Sequence, residues 1–173
     1  MILPLCPYAE QIKAACAKYA PWLDPKYAEA QLWQESNWKP DAVSGAGAEG
    51  MAQFMPDTWI EVCEDLHYPL IATPHDVEFA IPAYAYYMNK LWKQWTAPRT
   101  PDDRRRLTMA AYNTGMGNML KAQQRTNDGT GRRLNDYNSI AGQLIHVTGE
   151  AGSKETLNYV ADIEGWYKEL TVV

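Results

Sequence analysis

Prolines at positions 21, 25, 40, 56, 98 and 101 mark where helices can begin or must stop along the chain. Proline fixes φ and lacks an N–H, so it belongs at a first helical turn or just past a last one. Between these breaks the apolar residues recur at three and four, the spacing that puts side chains on one helical face. Ile12, Cys16 and Tyr19 follow that period, which predicts a short amphipathic helix over 8–19. Asp24 suits an N-cap and Pro25 a first position for a second helix, which must end before Pro40. Pro56 opens a third, through Trp59, Ile60 and Cys63 to about Leu66. A long fourth runs from about Val77 to Trp95, with Pro82 near its first turn, where the earliest N–H groups have no intrahelical partner. A fifth covers 102–112 and ends in Asn113 and Gly115. A further helix is expected over 137–147 around Ile140, Leu144 and Ile145. Ser153 can cap a last one, whose Val160, Ile163, Tyr167 and Leu170 form one stripe. Residues 67–76 and 126–133 read as loops. Without internal repeat, low-complexity tract or linker, the 173 residues are expected to form one all-α domain, 1–173, long enough to bury a core without staples.

The second helix carries an unusual passenger. Ala28, Gln31, Leu32, Glu35 and Trp38 share a face, so a glutamate lies on an otherwise mostly apolar stripe. Partial burial disfavours the ionised form and raises a carboxyl pKa, which suits a general acid near neutral pH. The competing reading is a solvated carboxylate at a fraying helix end. The segment 40–50 that follows is a loop by composition, and Gly45, Gly47 and Gly50 let its backbone take positive φ or approach something closely. Asp41, Glu49 and Asp57 sit at loop or helix-start positions better suited to solvent or capping.

A formal net charge of −5 argues against a nucleic-acid partner and leaves neutral contacts to carry recognition of any anionic polymer. Seven Trp and eleven Tyr against two Phe favour rings with a polar handle, which can stack on sugars while bonding their hydroxyls. Cys6, Cys16 and Cys63 cannot all pair within one chain and lack metal-ligand spacing; buried thiols are expected, with a Cys6–Cys16 bridge as the alternative. His67, His75 and His146 are scattered and read as non-catalytic; no metal and no cofactor are implied. Arg104, Arg105 and Arg106 read as a solvated helix face. No run of ~18 apolar residues is present, so no membrane span is expected. The first residues lack a basic start and a sustained apolar stretch, so a secretory signal is not expected.

Four segments in order carry a resemblance: Glu35-Ser36; Ser44-Gly45-Ala46-Gly47-Ala48-Glu49-Gly50-Met51-Ala52-Gln53-Phe54-Met55-Pro56-Asp57-Thr58; Ala111-Tyr112-Asn113-Thr114-Gly115; and Glu155-Thr156-Leu157-Asn158-Tyr159-Val160. Together, over roughly 20–165, they resemble the lytic transglycosylases of the soluble murein-transglycosylase type, which have a lysozyme-like helical fold and cleave peptidoglycan. The resemblance implies Glu35 as the lone catalytic acid and base, and Ser44, Gln53, Tyr112, Asn113 and Tyr159 as substrate-binding residues. Gln53 would donate to and accept from an N-acetyl group, Ser44 would reach the sugar, and the phenol of Tyr159 would orient Glu35. Two departures stand out: Ala52 where the family has Met, expected to widen one wall of the sugar pocket, and Tyr84 where it has glycine, which puts the close packing there in question.

Glycosidases usually need two carboxylates, and only Glu35 has a recognisable setting. One suffices if the substrate supplies its own nucleophile, and in the resembling family the muramic acid C6 hydroxyl does so, closing a 1,6-anhydro ring. The implied function is cleavage of glycan strands at the cell wall or in the periplasm, by a monomer without nucleic-acid partners. Delivery by a phage, residence in a virion, or a trimmed mature form would explain the start of the chain. Two other readings stay open: a lysozyme-like muramidase that uses water, and a glycan-binding structural or virion component with little turnover.

Overall fold

In the computed structural model, residues 4–127, 129–130 and 133–172 are described. Their regular structure is all helix, with two isolated β-bridges and no strands among the described residues. The helices are α1 (Ala9–Tyr19), α2 (Pro25–Ser36), α3 (Pro56–Leu66), α4 (Val77–Gln94), α5 (Pro101–Thr114), α6 (Met116–Arg125), α7 (Tyr137–Ala141) and α8 (Ile145–Thr171). They divide into two compact units, Met1–Asn89 with Ile163–Val173, and Lys90–Asp162.

In the first unit α1 packs against α2, and Ile12, Cys16, Ala28, Leu32, Met51, Phe54, Val62, Ile81 and Met88 are buried. Each large aliphatic side chain so buried contributes about 1.5–3 kcal/mol. The α2 start is as the sequence predicts: the Asp24 carboxylate accepts from the Lys26 N–H at 2.9 Å, and Pro25 takes the first turn. The phenol of Tyr167 also donates to Asp24 (3.1 Å), while its ring stacks on Tyr27 with centroids 3.6 Å apart. α4 runs unbroken through Pro82.

Tyr84, the residue in place of glycine, is fully buried. Its hydroxyl donates to Gln31 Oε1 at 2.8 Å, and the Gln31 amide reaches Met88 Sδ at 3.6 Å. The close packing is therefore replaced by a filled space whose polar atoms have partners, as burial requires. Burial, and after it the charges of Cys16 and Glu35, raises the Tyr84 pKa well above its ordinary value.

In the second unit α5, α6 and α7 pack on one another, with Leu107, Met109, Met119, Ile140 and Leu144 buried. Thr100 caps α5 by accepting from the Asp103 N–H at 3.0 Å, and Asp136 caps α7 by accepting from the Ser139 N–H at 2.9 Å. The second unit departs from the sequence reading in several places. Residues 116–125, given no element in the sequence reading, form α6. The helix expected over 137–147 stops at Ala141, and α8 begins at Ile145 after a turn. Ser153 does not start the last helix: the break is at Gly149 (φ 76°, ψ 177°), and Ser153 lies buried beyond it. The arginines are not a solvated face either. Arg104 donates to the Trp92 carbonyl at 2.8 and 3.0 Å and lies over its ring, while Arg105 and Arg106 both pair with Asp102.

All three cysteines are free thiols, so the Cys6–Cys16 bridge does not form. Burial pushes Cys6 up to about 11 and Cys16 to about 12, and raises Cys63 as well.

Candidate active site

Glu35 is the penultimate residue of α2 and is half-buried. The helix ends abruptly because Asn37 and Trp38 both take left-handed backbone, φ 56° and 58°. Asn37 tolerates this conformation; a bulky residue there costs roughly 1–2 kcal/mol. Two groups hold Trp38 in place: its N–H closes on the Leu32 carbonyl at 3.5 Å, and its indole N–H donates to the Glu29 carbonyl at 2.8 Å. The buried indole meets Trp33 edge-on, and Trp33 meets Trp166 the same way. Trp166 donates in turn to Gln34 at 2.9 Å. The residues flanking Glu35 are thus fixed on both sides.

Ser36 fastens this helix end to the glycine-rich loop. Its buried hydroxyl donates to the Met51 carbonyl at 2.7 Å and accepts from the Lys39 N–H at 3.2 Å. Sequence reasoning noticed the Glu-Ser pair but assigned the serine no task, because its partner lies fifteen residues on.

The loop is a folded device. Glu49 exchanges both backbone bonds with Phe54 (2.9 and 3.0 Å) and bridges to Val43. The Gly50 N–H donates to the Ala42 carbonyl at 2.8 Å. Gly50 has φ 75°, and a Cβ there would lie 1.8 Å from the Pro74 carbonyl oxygen, so only glycine fits. Ser44 closes the 44–48 turn: its hydroxyl oxygen accepts from the Ala48 N–H at 2.9 Å, leaving the hydroxyl proton to offer. Gln53 takes φ 49°, and its amide N–H groups donate to the Gly50 and Ala42 carbonyls at 2.9 and 3.4 Å. The amide is therefore spent on the loop on its donor side, and its carbonyl oxygen is the group it can present. This narrows the expectation of a two-way contact with an N-acetyl group. Ala52 is buried.

Other carboxylates nearby differ in setting. Asp41 and Asp57 are exposed, with Asp57 in the first turn of α3. Glu49 is half-exposed and lies 3.2 Å from His75 Nε2. Glu29 is buried and paired with Lys26 at 3.0 Å. Among the described residues no cluster of His, Cys, Asp and Glu could hold a metal.

The remaining candidates belong to the second unit. Tyr112 and Asn113 are half-buried in the last turn of α5. Asn113 Oδ1 accepts from the buried Thr156 hydroxyl at 2.9 Å, and Tyr159, one turn further along α8, is buried. So Glu35, Ser44 and Gln53 belong to the first unit, where the Ser36–Met51 bond ties the end of α2 to the loop that carries Gln53, and Asn113, Thr156 and Tyr159 belong to the second, where Thr156 bonds Asn113. Thr156 was quoted in the sequence motif without a role.

Residues 12–135 match the family model described as "Transglycosylase SLT domain". Among curated relatives, the chain is 32% identical over 130 residues to membrane-bound lytic murein transglycosylase F of Maricaulis maris (strain MCS10), covering 75% of this chain and 26% of that protein. A protein of the same name from Alteromonas mediterranea is 28% identical over 169 residues, covering 92% of this chain and 35% of the relative. Among solved structures, an inactive variant of lytic transglycosylase Slt from Pseudomonas aeruginosa superposes with a TM-score of 0.70 at 23% identity, over 93% of this chain and 24% of the other. The 70 kDa soluble lytic transglycosylase of Escherichia coli gives 0.67 at 23% identity, over 96% and 24%. The chain thus spans only a quarter to about a third of the length of these proteins.

Proposed function

Since this chain belongs to the SLT transglycosylase domain family, with a lysozyme-like helical fold, we propose that it is a peptidoglycan lytic transglycosylase acting on glycan strands of the cell wall. One observation carries the reading beyond family membership: Glu35 sits half-buried at a helix end that Ser36 locks onto the loop presenting Gln53. A proton donor held so firmly suits chemistry in which one carboxyl must act twice.

In the proposed reaction Glu35, as the acid, protonates the oxygen bridging N-acetylmuramic acid and N-acetylglucosamine as the C1–O bond breaks. The resulting carboxylate takes the proton from the C6 hydroxyl of the same muramic acid, whose oxygen bonds to C1. The products are a free 4-hydroxyl and a 1,6-anhydro end; no water is consumed, and Glu35 ends protonated. A hydroxyl already tethered near C1 has a high effective concentration, which lets it outcompete water. Gln53 offers its carbonyl oxygen and Ser44 its proton to the glycan. Roles for Tyr112, Asn113 and Tyr159 in substrate binding rest on the resemblance. A monomer working as one functional domain at the cell wall completes the proposal. No helix of the described residues is long and apolar enough to cross a membrane.

Digestion of purified peptidoglycan in heavy-oxygen water tests this directly. Product ends should be 1,6-anhydro-N-acetylmuramic acid, carry no label and resist borohydride. Label in most product ends would make the enzyme a muramidase that uses water, and binding without soluble products would favour a glycan-binding component.

A further inference from the structure

His75 lies outside every motif of the family resemblance, in the loop between α3 and α4. Its two ring nitrogens nevertheless meet two points of the segment following α2. Nδ1 is 2.9 Å from the Pro40 carbonyl oxygen, and Nε2 is 3.2 Å from Glu49 Oε2. Both partners are acceptors, so the pair of bonds is complete when both ring nitrogens carry protons. The preceding residue touches the same loop: the Pro74 carbonyl occupies the space a Cβ on Gly50 would need. Three contacts from two consecutive residues therefore converge on Pro40, Glu49 and Gly50.

We propose that Pro74 and His75 form a brace behind the glycine-rich loop, making His75 a positioning residue for the Gln53 end of the site. The chain of contacts is short. Glu49 pairs with Phe54 through both backbone bonds, and Gly50 accepts the Gln53 amide. Gln53 also reaches the Ala42 carbonyl, to which Gly50 donates. Holding Glu49 and Gly50 from behind thus holds the residues that orient Gln53. The His75–Glu49 pair is 38% and 42% exposed, too open to matter to global stability. Its consequence is local. Titratable neighbours of His75 on the same surface are Tyr8, Asp76 and Glu78, which help line a cavity of about 510 Å³ with it. Asp76 is already committed to Thr73 through its hydroxyl and N–H, at 2.8 and 3.2 Å.

This inference rests on the transglycosylase reading for its kinetic consequence but not for its structural one, so the test has two arms. In the first, hydrogen exchange of the Gly50 and Phe54 amides is compared in wild type, H75A, E49A and E49Q. H75A and E49A should lose protection at these amides with an unchanged Tm, and E49Q, which keeps an acceptor for Nε2–H, should retain most of it. In the second, H75A should raise KM for soluble glycan chains roughly three- to tenfold, the worth of one or two such bonds, with kcat little changed. The double variant H75A/E49A should be no worse than either single one. A residue that merely supported folding would instead lower the active fraction and leave KM alone. Unchanged amide protection in H75A, or E49Q behaving like E49A, overturns the brace. Should wild type itself release no glycan product, the activity reading fails, and the exchange arm still decides the brace.

Discussion

α2 and α5 begin alike and end differently. Each has proline in its first turn behind a side-chain cap, Asp24 or Thr100, and each delivers candidate site residues in its last turn. α2 leaves through two non-glycine residues in left-handed backbone, Asn37 and Trp38, and its last side chain is bonded to the next loop. α5 leaves through Gly115 at φ 87°, where nothing lies within 4 Å of a would-be Cβ. Its candidate Asn113 is held by a single hydroxyl. Strain persists only where the surroundings over-determine it, and it gathers at sites whose geometry matters to the chemistry. Under the proposed reaction, the α2 end suits a group that must not move and the α5 end groups that need only be in reach.

That contrast can be broken most forcefully at Glu35. Glu35→Gln keeps the shape and removes the proton, so glycan release should fall by about two to four orders of magnitude, the worth of a general acid and base. Circular dichroism should be unchanged. Activity near wild type would move the acid elsewhere, first to Glu49.

The two tethers should differ next. Ser36→Ala leaves the Met51 carbonyl without its donor at a buried contact, and should cost about 1–3 kcal/mol in chemical denaturation, together with a clear drop in turnover. Thr156→Val removes the bond to Asn113 and should cost about 1 kcal/mol with a smaller drop. Equal losses of turnover would erase the distinction between the two ends. The caps of the turns give the smallest effects. Gly115→Ala should destabilise by about 1 kcal/mol, since its φ suits only glycine and there is room for the methyl. Asn37→Gly, which relieves a left-handed residue, should be neutral or stabilising by a few tenths of a kcal/mol in the same assay.

How legible these features were depends on whether their cause is local. Pro25, Pro56 and Asp24 punctuate the chain within a turn of the residues they govern, and the predicted starts of α2 and α3 agree with the structure. α6 escaped because Gly115 ends α5 and serves as the N-cap of α6 at once, and Gly117 follows in the first turn, so two glycines mask a start. The joined helix over 137–147 came from an apolar period that runs on through a turn. Glu35, Ser44 and Gln53 were readable as a motif, but what orients them was not. Ser36 to Met51, Gly50 against Pro74 and Gln31 to Tyr84 are tertiary contacts between residues with no local signal of pairing.

The three free thiols bear on how the chain survives oxidants. An odd number of cysteines invites cross-linking between copies wherever disulfides form, because one thiol always lacks a mate. Exchange proceeds through the thiolate, and a thiol near 11 is ionised to only about one part in ten thousand at neutral pH. Cys16, pushed up to about 12, is also buried in the core. Packing thus slows thiol chemistry at these two positions without a disulfide, and alkylating reagents at neutral pH should modify Cys6 and Cys16 far more slowly in native protein than in unfolded chain.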